Sequence, residues 1–177
     1  GPRMRSTRWW WVRHAPSAGI PGIIHGQDDV DADLSDQTAI GARRATLPEN
    51  AVWLTSGLPR TVQTATALGG TDCRAVPGLM EQDFGEWNGK SWDDLRDDTA
   101  REFWQNFATQ APPGGESFVH MMDRVSDAIA EMVNIVAGGA KAKLSGSDRS
   151  PIDLNLPTVV RGNSYNVDYP TGSVWLE

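Results

Sequence analysis

The chain has 177 residues, of which 39% are hydrophobic and 22% are charged, a balance typical of a single globular domain. Its formal net charge of −7 lacks the basic character of a general nucleic-acid binder, so no nucleic-acid partner is expected. The single cysteine, Cys73, excludes an internal disulfide, and the three histidines lie too far apart in sequence to form a zinc motif.

No apolar run approaches the roughly 18 residues of a membrane span, and no signal peptide is visible. These features predict a cytoplasmic protein without a membrane partner. Residues 1–3 are interpreted as a cloning remnant before Met4, and residues 4–177 are predicted to form a single domain.

The first apolar run, "RWWWVR" at residues 8–13, ends at Arg13 and His14 and is followed by Ala15 and Pro16. A short apolar run bounded by turn-forming residues indicates a buried strand, so residues 8–13 are predicted to be one. Arg13 and His14 would then lie at its carboxyl end, where open α/β sheets place their ligand crevices.

The rest of the chain alternates between helical and strand-like segments, which favours an α/β sandwich with a mostly parallel sheet. Ser35 is predicted as the N-cap of the first helix, and Gly69 as the end of the second. Helices are predicted within residues 34–48, 60–69, 91–110 and 118–134. Strands are predicted at residues 51–57 and 73–79, with a strand remnant at 135–137 and strand-like pieces in 159–176.

Four motifs follow one another between residue 8 and about residue 130: "WWVRHAP", "SGLPRTVQTA", "GLMEQDFGEWNG" and "PPGGES". In this order they resemble the histidine phosphatase superfamily, also called phosphoglycerate mutase-like, and its small bacterial phosphatases. An Arg-His pair alone is a weak signal, but the Arg-Thr-x-x-Thr-Ala and Glu-x-x-x-Gly-x-Trp blocks make the combination specific. The resemblance implies a three-layer α/β/α sandwich with a mostly parallel central sheet, and no metal or other cofactor.

The same resemblance assigns the catalytic roles. His14 matches the family's nucleophile, a histidine that takes the phosphoryl group on an imidazole nitrogen. Arg13 and Arg60 match the two arginines that hold the phosphate, a task suited to the paired donors and permanent charge of guanidinium groups. Glu81 matches the general acid and base, which protonates the leaving oxygen and then activates water. Burial beside the anionic ligand favours that role, so a buried carboxyl group is expected.

Further residues are assigned to substrate binding by position in the matched motifs. Ser17 and Gln27 lie in the loop after the first predicted strand, from which the family contacts its substrate, and they join Arg13 and Arg60. Glu116 and Ser117 resemble a family turn that caps the next helix.

The chain departs from the family at a second histidine, which the family carries directly before a Gly-Gly pair. Here Ala137 precedes Gly138 and Gly139, and Gly138 is assigned to substrate binding by position alone. Losing one preorganised donor of this kind typically costs about 10²–10³ in rate. Either the chain is a degenerate member, or residues are missing from the sequence around 134–143, where the predicted strand is too short. We favour missing residues, which an intact mass of 19.3 kDa would exclude.

The resemblance implies a metal-independent phosphomonoesterase that acts on a small phosphorylated metabolite through a phosphohistidine on His14. Its expected partners are that substrate or inorganic phosphate. One alternative is a phosphoglycerate mutase-type phosphotransferase, which Ile20 disfavours because the mutase motif has Asn at that position. The other alternative is a degenerate, non-catalytic phosphate-binding member, which the absent second histidine favours.

Overall fold

The computed structural model of the chain describes residues 7–145, with side chains through residue 138. Its helices and strands, in chain order, are α1 (Gln37–Thr46), β1 (Leu54–Thr55), α2 (Pro59–Ala67), β2 (Arg74–Ala75), α3 (Asp98–Gln105) and α4 (Phe118–Ser145). Single 3₁₀ turns at Pro77–Leu79, Gly85–Trp87 and Trp92–Asp94 lie between β2 and α3. The strand-like pieces predicted in residues 159–176 lie outside the described residues.

β1, α2 and β2 form a strand–helix–strand unit in which the two strands run parallel. Leu54 pairs with Arg74 and Thr55 with Ala75, and the Val76 N–H donates to the Thr55 carbonyl at 2.7 Å. The predicted strands at 51–57 and 73–79 are therefore confirmed in place, although each has two residues in the described chain. The parallel α/β character is confirmed, while the three-layer sandwich remains a prediction.

The helix boundaries follow local capping chemistry. α2 begins at Pro59, whose fixed φ suits the first helical position, and the chain leaves it through Gly69 with a φ of +94°. α1 begins one residue later than predicted, because Asp36 and not Ser35 accepts a hydrogen bond from the Ala39 N–H, at 2.9 Å. The helix predicted across residues 91–110 is shorter, since a 3₁₀ turn precedes α3.

Two clusters of buried side chains form the core of the described residues. One joins Ile24, Trp87, Ala100 and Phe103, and so ties the loop before α1 to α3. The other joins Val76, Ala128 and Met132, with partly buried neighbours on β1 and on the 3₁₀ turn after β2. The second cluster fixes α4 across the end of β2, which is where the candidate site lies.

Residues 7–16 contain no strand, so the buried strand predicted at 8–13 is wrong. Trp9, Trp10 and Trp11 are 38%, 49% and 66% exposed. An extended segment becomes a strand only when a neighbouring strand satisfies its N–H and C=O groups. Within the described residues no strand pairs with this segment, which instead borders an apolar cavity of about 760 Å³ that Leu54 and Val136 also line.

α4 is one continuous helix of 28 residues, so the predicted helix end at 134 and strand remnant at 135–137 are also wrong. Ala128, Met132 and Ile135 belong to one core cluster and are spaced at i, i+4 and i+7, so this apolar run extends the buried face of the helix. No helix within residues 7–145 has the length and hydropathy that crossing a bilayer requires.

Candidate active site

Three of the four predicted catalytic residues line one cavity of about 230 Å³: His14, Arg60 and Glu81. They come from separate parts of the chain, namely the N-terminal segment, the first turn of α2 and the loop after the Pro77–Leu79 turn. The other lining residues are Ser56, Leu58, Thr61, Leu79, Met80, Met121 and Val125. The cavity thus combines an imidazole, a guanidinium, a carboxylate and two hydroxyls above an apolar wall.

The geometry of His14 defines which ring nitrogen can react. His14 Nδ1 lies 2.6 Å from the carbonyl oxygen of Ala15. A carbonyl only accepts hydrogen bonds, so Nδ1 carries the proton and Nε2 keeps its lone pair in the neutral ring. The Ala15 N–H donates to Thr64 Oγ1 on α2 at 2.9 Å, which anchors the segment to the same helix that carries Arg60. Nε2 therefore keeps the lone pair that the predicted nucleophilic role requires.

Arg60 is only 4% exposed and is oriented by the loop before α1. Its Nη2 donates to the Gly26 carbonyl at 2.7 Å and its Nη1 to the Asp28 carbonyl at 3.2 Å. A guanidinium has five N–H groups, and the other three make no hydrogen bond within residues 7–138. Arg60 therefore brings a fixed positive charge with unused donors to the cavity, at a helix N-terminus that itself favours anions.

Ser56 and Thr61 add hydroxyls that the sequence analysis did not single out. Ser56 Oγ lies 3.0 Å from Thr61 Oγ1, which in turn donates to the Leu58 carbonyl at 2.8 Å. Ser56 precedes α2 and Thr61 lies in its first turn, and both line the same cavity as Arg60. Their position on either side of the Gly-Leu-Pro-Arg turn could have identified them as candidates for an anion site. Hydroxyl groups near a helix start often bind anions together with the backbone.

Glu81 lies in the cavity wall but is exposed, so the expectation of a buried carboxyl group is not confirmed. Its Oε1 accepts a hydrogen bond from the Gln82 N–H at 2.8 Å. Its backbone carbonyl accepts from Gln27 Nε2 at 3.0 Å, so Gln27 binds the backbone of Glu81 without lining the cavity. The open position leaves the carboxylate accessible to water.

The remaining predicted site residues lie elsewhere. Arg13 is exposed and lines the larger cavity of about 760 Å³ instead of the smaller one. Ser17 forms an isolated antiparallel bridge with Ala32. Gly138 is exposed on α4 and does not line either cavity. The structure therefore brings His14, Arg60 and Glu81 together and leaves Arg13, Ser17 and Gly138 outside their cavity.

The turn at residues 112–117 contacts the backbone next to Glu81 and directly precedes α4. Ser117 Oγ accepts from the His120 N–H at 3.2 Å, in agreement with the predicted capping of α4. Glu116 instead pairs with Arg124, and its Oε1 accepts from the Asp83 N–H at 3.0 Å. Burial raises the pKa of Glu116, but hydrogen bonds from Arg124 and Asp83 and the charges of Arg124 and His120 outweigh it, so the pKa lies below its usual value.

Neither His25 nor His120 lines the cavity of about 230 Å³, so His14 is its only histidine within the described residues. No group of three or more His, Cys, Asp or Glu residues in that part of the chain is arranged to hold a metal ion.

Comparison with known proteins identifies the family of this chain. Residues 9–140 match the histidine phosphatase superfamily (branch 1). A glucosyl-3-phosphoglycerate phosphatase of Mycolicibacterium vanbaalenii is 32% identical over 154 residues, which are 82% of this chain and 67% of that protein. The phosphatase of the same name from Mycobacterium tuberculosis H37Rv is 31% identical over 138 residues, covering 73% of this chain and 62% of that protein.

Solved structures give the same assignment. The native structure of the mycobacterial glucosyl-3-phosphoglycerate phosphatase matches with a TM-score of 0.59 and 28% identity, over 68% of this chain and 61% of that one. The same phosphatase in complex with VO3 matches with a TM-score of 0.58 and 29% identity, over 68% of this chain and 64% of that one. The chain spans about two thirds of the length of these proteins. It belongs to the histidine phosphatase superfamily, branch 1.

Proposed function

We propose that this protein is a metal-independent phosphomonoesterase that acts on a small phosphorylated metabolite through a phosphohistidine at His14. The observation that carries the proposal is the single cavity lined by His14, Arg60 and Glu81. The family match and the phosphatase names of the relatives support it. The complete fold that we propose with it is the three-layer α/β/α sandwich, in which the β1–α2–β2 unit is one part.

The proposed reaction has two balanced steps. His14 Nε2 attacks the phosphorus, the bond from phosphorus to the ester oxygen breaks, and Glu81 donates its proton to the departing alcohol. Water then attacks the phosphohistidine while Glu81 takes up one of its protons, the N–P bond breaks, and inorganic phosphate leaves. Arg60 holds the phosphoryl oxygens in both steps, and such charge stabilisation and positioning supply most of the catalysis in phosphoryl transfer.

The dimensions of the cavity favour a substrate whose phosphate alone is enclosed. A volume of about 230 Å³ is small for a ligand site, since sites for drug-sized ligands usually start near 300 Å³. The organic part of the ester would therefore extend past the exposed Glu81 to the surface. Because the relatives are named for glucosyl-3-phosphoglycerate, we propose phosphorylated sugar acids as the first substrate class to test.

The test is hydrolysis of p-nitrophenyl phosphate by the intact protein with excess EDTA, followed by a panel of phosphorylated metabolites. We expect turnover that EDTA does not reduce and that orthovanadate inhibits. His14→Ala should lower kcat by about 10⁴-fold or more, because the nucleophile and the covalent route are both lost. His120→Ala, which removes an exposed histidine outside the cavity, is the matched control and should be as active as the wild type.

Three results would redirect the proposal. A His14→Ala protein with wild-type turnover would contradict the mechanism. Phosphate or vanadate binding without any turnover would support the non-catalytic alternative, which the lack of a second cavity histidine favours. A strict requirement for a bisphosphoglycerate primer would indicate the mutase alternative. An active enzyme lacking the second histidine should still be slower than its relatives, by about 10²–10³.

A further inference from the structure

Arg124, in the second turn of α4, reaches across to residues 78–83, which we call the Glu81 segment. Its Nη1 donates to the carbonyl oxygens of Gly78 and Met80 at 2.8 and 2.9 Å. Its Nη2 donates to the Glu81 carbonyl at 3.2 Å. Nε and Nη2 also donate to the two carboxylate oxygens of Glu116, at 3.1 and 2.5 Å. All five N–H groups of the guanidinium are therefore occupied.

Glu116 binds the other end of the same segment. Its carboxylate accepts from the Asp83 N–H at 3.0 Å, and its own N–H donates to the Asp83 carbonyl at 2.9 Å. The buried side chain of Gln82 donates from Nε2 to the Glu116 carbonyl at 2.9 Å. The backbone on both sides of Glu81 is thus fixed by the Arg124–Glu116 pair and its immediate neighbours.

Close packing holds the start of the Glu81 segment against the same helix. A Cβ atom at Gly78 would lie 2.7 Å from the Cβ of Ala128, a separation that real Cβ atoms essentially never show. The glycine therefore permits the contact with α4 that brings the Gly78 carbonyl within reach of Arg124. Ala128 is 3% exposed and lies one turn after Arg124.

The Glu81 carboxylate itself has little direct support. It is exposed, and within the described residues its hydrogen bond is to the N–H of Gln82, the next residue. Among residues 7–138 neither burial nor a charged partner holds this side chain in place, so its location in the cavity depends on where the backbone lies. A misplacement of about 1 Å in a catalytic group can cost about 10² in rate.

We infer that Arg124, paired with Glu116, is the positioning residue for the general acid, because it fixes the backbone that carries Glu81. The inference rests on the proposed phosphatase function and names residues that the catalytic assignment does not include. Arg124 acts through Glu81 and does not line the cavity. A lysine at this position would retain the charge but offers three donors on a point ammonium, so it cannot hold three carbonyls and a carboxylate together.

The test compares Arg124→Lys with the wild type on two esters that differ in their need for an acid. Phenoxide leaves poorly and needs protonation, whereas p-nitrophenolate leaves readily without it. We expect kcat/KM of Arg124→Lys to fall by about 10-fold to 10²-fold for phenyl phosphate and by less than about 3-fold for p-nitrophenyl phosphate. kcat/KM is used because it reports the steps up to release of the alcohol, before the phosphohistidine is hydrolysed.

Arg101→Lys is the matched control, since Arg101 pairs with Asp98 on the exposed surface of α3, three residues apart. It should leave kcat/KM unchanged for both esters. A second readout needs no catalysis: amide hydrogen exchange at residues 79–83 of the intact protein. Exchange there should be faster in Arg124→Lys than in the wild type, and unchanged in Arg101→Lys. The segment's carbonyls lose their donor, and the Glu116 carboxylate that accepts from the Asp83 N–H loses the guanidinium that orients it.

Unchanged exchange in Arg124→Lys would overturn the inference, and so would an equal loss of kcat/KM for both esters. An equal loss would mean that Arg124 supports the structure generally. If the wild-type protein hydrolyses neither ester and none of the phosphorylated metabolites in the panel, the proposed function fails, while the exchange data still decide whether Arg124 fixes the Glu81 segment.

Discussion

The two sides of the candidate site are held very differently. The Glu81 segment is bound through its backbone and side chains to Arg124, Glu116 and Gln27. The N-terminal segment that carries His14 forms neither helix nor strand between residues 7 and 16, and its tryptophans Trp9, Trp10 and Trp11 are 38–66% exposed. It is anchored by the Ala15 N–H on Thr64 Oγ1 and by the Pro16 carbonyl, which accepts from the Asp33 N–H at 2.6 Å.

This difference in hydrogen bonding indicates which part of the site is preorganised. The backbone of Glu81, the proposed general acid, is fixed by Arg124 and Glu116, and Arg60 is fixed by carbonyls of the loop before α1. His14, the proposed nucleophile, has few restraints beyond the hydrogen bond that orients its ring. We therefore expect a bound phosphate to order the N-terminal segment more than the Glu81 segment, because a ligand adds most order where the protein supplies least.

Arg60 tests the rigid part of the site and should give the largest effect. Arg60→Lys keeps the charge but loses the paired donors, so kcat/KM for p-nitrophenyl phosphate should fall by about 10²-fold. The carbonyls of Gly26 and Asp28 would also lose their donors, which should lower the free energy of unfolding by about 1–3 kcal/mol. Steady-state kinetics and urea denaturation measure the two effects.

The matched control is Arg43→Lys on α1, where Arg43 donates to a single carbonyl, that of Ala39, at 3.2 Å. It should alter neither kcat/KM nor the unfolding midpoint measurably, because a lone bond at the helix surface contributes little. Wild-type activity in Arg60→Lys would mean that another group holds the phosphate.

Thr64 tests the weakly held side. Thr64→Val preserves shape while removing the acceptor for the Ala15 N–H and the bond to the Arg60 carbonyl. The free energy of unfolding should drop by about 1 kcal/mol, and kcat should fall by roughly 3- to 10-fold, since the His14 segment loses its anchor to α2. Thr66→Val on the same helix removes only the bond to the Val62 carbonyl and serves as the control. Equal kinetics in the two variants would show that the anchor is unimportant.

Glu116 should give the smallest effect on the free energy of unfolding, one that is present at neutral pH and lost in acid. Because its pKa is lower in the folded chain than the usual 4.5, its ionised form stabilises the fold above about pH 4.5. That contribution is lost as the pH falls through the folded-state pKa. Glu116→Gln lacks it at every pH, so the difference in unfolding free energy between wild type and variant should shrink on acidification from pH 7 to pH 3.

Urea denaturation followed by circular dichroism at several pH values measures this difference. Asp98→Asn is the control, because its exposed pair with Arg101 should contribute little at any pH. A difference between wild type and Glu116→Gln that stays constant down to pH 3 would contradict the lowered pKa.

Local chemistry explains which features could be predicted from the sequence. The α2 limits follow from Pro59 and Gly69, whose backbone preferences act within a few residues. His14, Arg60 and Glu81 were identifiable because each lies inside a motif whose neighbours are also matched. Their common cavity is a consequence of where those motifs end in the fold.

The wrong or missed features depend on contacts that no local pattern reveals. The 8–13 run has the composition of a strand, but a strand also requires a partner, which the described residues do not provide. Residues 135–137 suit either a strand or a helix, and packing of Ile135 against the cluster of Val76, Ala128 and Met132 favours the helix. The Arg124–Glu116 pair joins a turn to the next helix and then to a loop more than 40 residues earlier, so spacing alone could not reveal it.

The exposed indole rings of Trp9, Trp10 and Trp11 lie close to His14 in the sequence, so their fluorescence depends on the surroundings of this segment. Indole emission moves to shorter wavelength when water leaves the ring, and Trp11, at 66% exposure, lies three positions before His14. Binding at His14 that buries residues 9–11 should therefore shift the tryptophan emission of the protein to shorter wavelength. The chain carries a label-free reporter of occupancy, usable even with esters that release no dye.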